Sequence, residues 1–505
     1  MLSKSKVIFL LIAILGIAVF FRFYKITEIP PGLYPDEAAN GVNALDALSQ
    51  NNWKVFYPEN NGREGLFMNI QSVSVKYFGA YPWSLRVVSG VFGVLTVLGL
   101  FLLTRLLWSP AIALLASYLL AISFWPVNFS RIGFRAVMLP FILVWAFYFL
   151  WSGLRKRSFA RIALAGLIYG VGFHTYISWR VSPLLLILMF LILIFGKEFN
   201  RKFLAKAGLI FFACAVIIAS PLLIYYLKNP ADFMGRAAQV SIFNSESPMK
   251  SLIGSAVKTI GMFNIYGDGN WRHNFSGRPE LFWPVGIGFL IGILIALRRF
   301  SSSRNWFLIL WLLVMLLPNF LAPEGAPHAL RALGAMPAVF ILSALGLNFA
   351  YAKIKEWFGG TERIKKEIAV LAVLFIIFIG LWEYRTYFVV WANKPDVSSN
   401  FEQRLVDIGN YLNRLDAETK KYVVVNENGT IVKDVSIQAQ PIMFLAYDKN
   451  IIYLNPGDIV KLPKTLSDAV IIPTKSEPEI INQIVQKYPL SQVADFITFK
   501  AINTE

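Results

Sequence analysis

The chain has 505 residues, of which 56% are hydrophobic and 15% charged, with a mean hydropathy of +0.56 and a formal net charge of +18. Soluble proteins carry about 25% charged residues, so the composition excludes an ordinary soluble domain. The positive charge does not point to nucleic acid either, because it gathers in short loops between apolar blocks, and a single cysteine, Cys214, excludes a disulfide within the chain.

The apolar blocks are long enough for helices that cross about 30 Å of hydrocarbon. Helices suit lipid because they satisfy their own backbone groups. Eleven spans are predicted, near 7–23, 85–107, 111–127, 136–154, 162–178, 181–196, 207–227, 281–297, 305–321, 332–351 and 368–390. The first is flanked by Lys4 and Lys6 and is followed by no small-residue cleavage site, so it is expected to remain as an anchor.

With the N-terminus in the cytoplasm, every basic loop falls on one side. These loops hold Arg155, Lys156, Arg157 and Arg161; Lys197, Arg201, Lys202 and Lys206; Arg298, Arg299 and Arg304; and Lys353, Lys355, Arg363, Lys365 and Lys366. Lys and Arg in short loops set orientation, so a multi-pass plasma-membrane protein with a cytoplasmic N-terminus is expected.

The opposite face carries three longer stretches. The first outer loop, 24–84, contains Pro-Asp-Glu (Asp36, Glu37) and Gly-Arg-Glu-Gly-Leu (Arg63, Glu64). Residues 38–50 and 65–78 are predicted as amphipathic helices on the membrane surface. A second outer loop spans 228–280. The domain division expected is a membrane domain, 1–390, and an extracytoplasmic α/β domain, 391–505. The latter reads as helix 401–415, strands 422–427, 450–454 and 469–473, helix 477–488 and strand 492–500.

Further polar and ionisable residues mark the outer face: Arg131 and Arg135; His174, Tyr176 and Arg180; Asp268, Arg272, His273 and Asn274; His328 and Arg331. All three histidines of the chain are among them. Ionisable groups at membrane depth are functional candidates by default. Carboxylates accept protons or hold hard cations through oxygen, which leaves open a divalent cation, magnesium or manganese, on Asp36 and Glu64. Arginine forks match phosphate oxygens. His328 and Arg331, three residues apart, are expected on one face where the tenth span begins.

Several motifs carry a resemblance: Tyr-Pro-Asp-Glu after the first span, Gly-Arg-Glu-Gly-Leu with the Tyr-Phe-Gly that ends its segment (Tyr77 to Gly79), and Ser-Leu-Arg-Val-Val-Ser-Gly-Val-Phe-Gly (Ser84 to Gly93). Ser-Arg-Ile-Gly-Phe-Arg (Ser130 to Arg135) and His-Ala-Leu-Arg before Pro337 complete the series. Over about residues 7–350 the chain resembles the GT-C fold glycosyltransferases, especially the protein mannosyltransferase and lipid A aminoarabinose transferase superfamily. The resemblance implies an α-helical polytopic membrane protein of that fold. It implies an inverting transfer from a polyprenyl-phosphate sugar to a protein, lipid or glycan acceptor on the outer face. Asp36 takes the place of the family's proposed base, with Glu37 beside it. Glu64 matches the second acidic segment, although the two prolines that often follow are absent here. A lipid-linked oligosaccharide flippase and an O-antigen-ligase-like enzyme are the alternatives. The flippase predicts internal repeats, and none is visible between the halves.

Overall fold

The computed structural model describes residues 3–196, 198–298, 302–463, 466, 468–488, 491–493 and 499–501. Lys197 and Arg299, two of the predicted cytoplasmic charges, lie outside these residues, as does the middle of the predicted strand 492–500.

The chain is mostly helical and forms two compact units. The first comprises residues 1–29, 64–67 and 86–394. Among the described residues, seven helices are long and apolar enough to cross a membrane: Lys4–Phe23, Pro82–Leu107, Arg135–Lys156, Ile177–Phe195, Arg201–Lys228, Ser303–Phe320 and Leu333–Phe358. Pro110–Ile122, Phe159–His174 and Trp283–Arg298 are shorter apolar helices. Every predicted block is therefore helical in part, but not every block is one full span. The block at 111–127 breaks at Ser123, whose extended backbone starts a separate helix, Phe124–Phe129. The last block begins inside helix Glu362–Tyr384 and ends in a wider helical turn, Arg385–Val390.

Small residues let the helices of this unit approach backbone to backbone. A Cβ on Gly292 would lie 1.9 Å from the Leu342 carbonyl oxygen, and one on Gly346 would lie 1.9 Å from that of Gly288. Gly288 and Gly292 are four apart, the spacing that brings helices together in lipid, where no hydrophobic force does so. Gly166 and Gly170 repeat the device against the carbonyls of Phe211 and Ala215, where added Cβ atoms would sit at 2.3 and 2.4 Å.

The second unit comprises residues 30–63, 68–85 and 395–505. Its centre is a five-stranded sheet. Lys420–Val424 lies between Ile451–Leu454 and Ala469–Pro473, parallel to both, and Phe499–Ala501 and Ser491–Val493 continue it antiparallel. One face packs Val423, Val470 and Ile472 against Leu405, Ile408 and Leu412 of helix Gln403–Arg414. The other packs Tyr422, Val424 and Ile471 against Ile480 and Ile484 of helix Pro478–Lys487. The two central strands, Lys420–Val424 and Ala469–Pro473, are buried on both faces over most of their length, as parallel strands are, which is why they read as continuous apolar runs, while Ile451–Leu454 leaves Ile452 exposed.

Most of the first long loop, residues 30–63 and 68–85, belongs to this unit. Leu33, Ala38 and Val42 form one core cluster with Val75, Leu85, Val406, Phe444 and Leu445. The helix expected at 38–50 on the membrane surface is instead Pro35–Ser49, and ten of its fifteen residues are buried. Small residues at Ala38, Ala39, Gly41 and Ala44 let neighbours approach it on several sides. A Cβ on Gly41 would meet the Phe444 ring at 2.6 Å. A one-sided membrane face is therefore the wrong description of this helix. The helix expected at 65–78 is Leu66–Phe78, which exposes Val73, Tyr77 and Phe78.

Candidate functional site

In the second unit, Pro35 occupies the first turn of helix Pro35–Ser49, where its fixed φ suits helix initiation and its missing N–H costs nothing. Asp36 and Glu37 therefore sit inside that turn, not in the loop before it. Exposed backbone N–H groups and the helix dipole favour carboxylates there. Asp36 is half-buried, and its Oδ1 accepts from Asn60 Nδ2 at 2.5 Å. Glu37 is fully buried. Arg63 is also buried and donates through Nη1 to Asn40 Oδ1 at 2.8 Å and through Nη2 to Asn43 Oδ1 at 2.6 Å. It ties this helix to the segment that also carries Asn60, the partner of Asp36.

In the first unit, Glu64 is the centre of a cationic cluster. Its carboxylate, with a side chain 4% exposed, meets Arg135 Nε at 2.9 Å and Arg180 Nη2 at 3.7 Å. Arg135 stacks over Tyr176, its guanidinium carbon 5.5 Å from the ring centre. Arg180 lies 4.3 Å from the Phe233 ring centre and 5.2 Å from that of Tyr226, and also donates to Tyr226 Oη at 3.0 Å. Arg331 and Arg135 are both within electrostatic reach of the Tyr176 hydroxyl. Two arginines predicted separately thus meet on one acid, and Arg331 stands near the tyrosine beside it. Tyr226 and Phe233, which sequence reasoning missed, form its aromatic wall. Aromatic residues in the last turn of a span, as in Tyr225-Tyr226, were the available signal. A carboxylate held by two guanidinium groups is a poor metal ligand, so this cluster does not fit a cation on Glu64.

The third group is Asp268, His273 and His328, whose ligand atoms lie within 4.8 Å of one another. Asp268 Oδ2 meets His273 Nδ1 at 3.0 Å and His328 Nδ1 at 3.8 Å, and accepts from Ala329 N at 2.8 Å. Oδ1 accepts from Asn270 N at 2.8 Å. Burial alone would raise the Asp268 carboxyl, but the His273 hydrogen bond and charge, helped by His328 and Asn270, hold it below the usual carboxylate range. Glu280 accepts from Asp268 N at 3.0 Å, and burial pushes its carboxyl well above the usual range.

His328 and Arg331 do not share a helix face. They lie in turns, because Pro323, Gly325 and Pro327 interrupt the chain and regular helix starts only at Met336. Arg331 Nη1 donates to the carbonyls of Ala322 at 2.8 Å and Glu324 at 2.6 Å. Arg131 is not part of the Glu64 cluster. It is buried and donates to the carbonyls of Phe21, Tyr24 and Ile29, closing the end of helix Lys4–Phe23. His174 contacts the Ile218 carbonyl at 2.9 Å. Arg272 and Asn274 shape the 262–282 loop: Arg272 Nε donates to Asn270 Oδ1, and Asn274 Nδ2 to the carbonyls of Asp268 and Arg278.

Residues 66–225 match the family described as dolichyl-phosphate-mannose-protein mannosyltransferase. The Bacillus subtilis protein named "Putative mannosyltransferase YkcB" is 23% identical over 231 residues, 44% of this chain and 31% of that protein. The chain thus spans about a third of that relative. In fold it is similar to ArnT from Cupriavidus metallidurans in the apo state, with TM-score 0.61, 12% identity and coverage of 98% of this chain and 97% of that one. It is also similar to the apo oligosaccharyltransferase of Archaeoglobus fulgidus, with TM-score 0.58, 16% identity and coverage of 90% and 65%. The chain is thus a multi-pass membrane protein with the fold of GT-C membrane proteins over almost its whole length, and its segment that holds Arg135, Tyr176 and Arg180 matches the mannosyltransferase family.

Proposed function

We propose that the protein is an inverting glycosyltransferase that moves a sugar from a polyprenyl-phosphate donor to a hydroxyl of a protein, lipid or glycan acceptor. The observation that carries this reading is the Glu64 cluster: Arg135 and Arg180 on one carboxylate, walled by Tyr176 and Tyr226, with Arg331 close by. Two guanidinium groups on one carboxylate leave the cluster net positive, so it suits a phosphate. Solved relatives support a lipid phosphate: ArnT has been captured with undecaprenyl phosphate and the archaeal AglB with dolichol-phosphate. In the reaction, the acceptor oxygen attacks the anomeric carbon and Asp36 takes its proton. The bond from that carbon to the phosphate oxygen breaks, and its electron pair leaves with the lipid phosphate. Arginines that bind the donor phosphate also stabilise the charge that develops on departure.

Arg331→Lys tests the phosphate role. Lysine keeps the charge but loses the planar fork. Purified Arg331→Lys protein is expected to bind polyprenyl-phosphate sugar about tenfold or more weakly, with expression unchanged, since hydrogen bonds to charged groups contribute roughly 1.5–3 kcal/mol. Wild-type affinity in that variant would make Arg331 a loop tie alone.

The reading places the chemistry and the 391–505 segment outside the cytoplasm and the N-terminus inside. In a chain with Cys214→Ala, a cysteine at the exposed Ser476 is expected to react with an impermeant maleimide in intact cells, and one at the exposed Thr361 only after lysis. The reverse pattern inverts the topology.

A further inference from the structure

We propose that Asp268, His273 and His328 bind a divalent first-row transition-metal cation, zinc foremost, at a site separate from Asp36 and Glu64. Two of the three histidines in the chain converge here on one carboxylate, although 55 residues of sequence separate them. Two imidazoles and one carboxylate make a donor set suited to zinc and its neighbours rather than to magnesium or calcium.

The surroundings are those of a held ligand set. Backbone N–H groups of Asn270 and Ala329 fix both oxygens of Asp268 from opposite sides. Hydrogen bonds of this kind orient metal-binding carboxylates. Phe129 lies 5.5 Å from the His273 ring and the two imidazoles are 4.8 Å apart, so the rings have little freedom. Asp268 and His273 are buried.

A second carboxylate stands next to the group. Glu280 accepts from the Asp268 N–H through Oε1, while its buried Oε2 has no hydrogen-bond partner among the described residues. Zinc holds nitrogen and oxygen ligands at about 2.0–2.2 Å in a tetrahedron, so bound ligand atoms stand about 3.4 Å apart. Asp268 Oδ2 is 3.0 Å from His273 Nδ1 and 3.8 Å from His328 Nδ1, and the widest separation in the set, 4.8 Å, must shorten by about 1.4 Å on binding. Three protein ligands would leave a fourth position for water or substrate. The cation would also pin His328 three residues before Arg331, tying the 262–282 loop to the segment that carries that arginine.

The experiment is metal analysis of the full chain, purified in detergent through a tag without histidine, stripped with chelator, incubated with zinc chloride and desalted. Wild type is expected to keep about one zinc per chain. His273→Ala, His328→Ala and Asp268→Asn are each expected to keep a small fraction of that, while Asp36→Asn and Glu64→Gln keep it all. Zinc absorption spectroscopy on the wild type is expected to show two imidazole ligands, a readout that needs no variant to fold. A wild type that keeps no zinc, an all-oxygen coordination shell, or zinc lost from Asp36→Asn or Glu64→Gln but kept by the histidine variants would each overturn the proposal. None of these outcomes depends on sugar transfer, so this site and the glycosyltransferase reading stand or fall separately.

Discussion

Asp36→Asn is expected to slow sugar transfer about 10²–10⁴-fold, the usual contribution of a general base, while the protein inserts and folds as wild type does. Asparagine keeps the shape of the side chain and can still accept from Asn60, whose Nδ2 holds Oδ1. It also remains a tolerated residue at a helix start. What it loses is basicity. Turnover is measured with a labelled polyprenyl-phosphate sugar on purified protein, with the melting temperature followed in parallel. Near-normal turnover removes Asp36 from this role. Suspicion would then pass to Glu37 or Glu64, both of them buried.

Glu64→Gln is expected to cost about 3 kcal/mol of stability, the low end of what breaking a buried ion pair costs. Glu64 is 4% exposed, but Arg135 and Arg180 keep 19% and 18% of their side chains in contact with solvent, which screens part of their repulsion. In a thermal melt the variant should fall several degrees below wild type, and added polyprenyl phosphate should recover most of the difference by supplying the missing negative charge. A melt equal to wild type would mean that the two arginines do not depend on this acid. A loss that lipid phosphate does not recover would detach the cluster from donor binding.

The sequence made the membrane helices legible because 17 or more apolar residues in a row have few other uses. Block ends were less legible, since Ser123 and the turn at Arg385–Val390 are decided by packing. Position in the chain singled out Asp36, but not the helix beneath it. Pro35 is a helix-start signal that was overlooked because the apolar periodicity begins only at Ala38. The clamp from Arg63 to Asn40 and Asn43 was out of reach, because an asparagine looks the same in a turn, on a surface and under an arginine. The Glu64 cluster was half legible: each arginine stood out by lying on the acid-bearing face, yet nothing in the spacing joins Arg135, Arg180 and Arg331. The same holds for Asp268 and His328, which come together through Ala329 N–H and the fold around it. Arg131 is a conspicuous residue whose Nη1 and Nη2 donate to backbone carbonyls of another segment.

The make-up of the second unit has a consequence for biogenesis. Helix Pro35–Ser49 is among the first segments to leave the ribosome, whereas Val406, Phe444 and Leu445, which complete its core cluster, are among the last. Hundreds of residues, including the long apolar helices, must be synthesised in between. Contacts that distant in sequence form late, after the entropy of closing a very large loop has been met. The helix that carries Asp36 thus waits half-covered, and a chain cut short before Phe444 lacks the surface on which that helix settles.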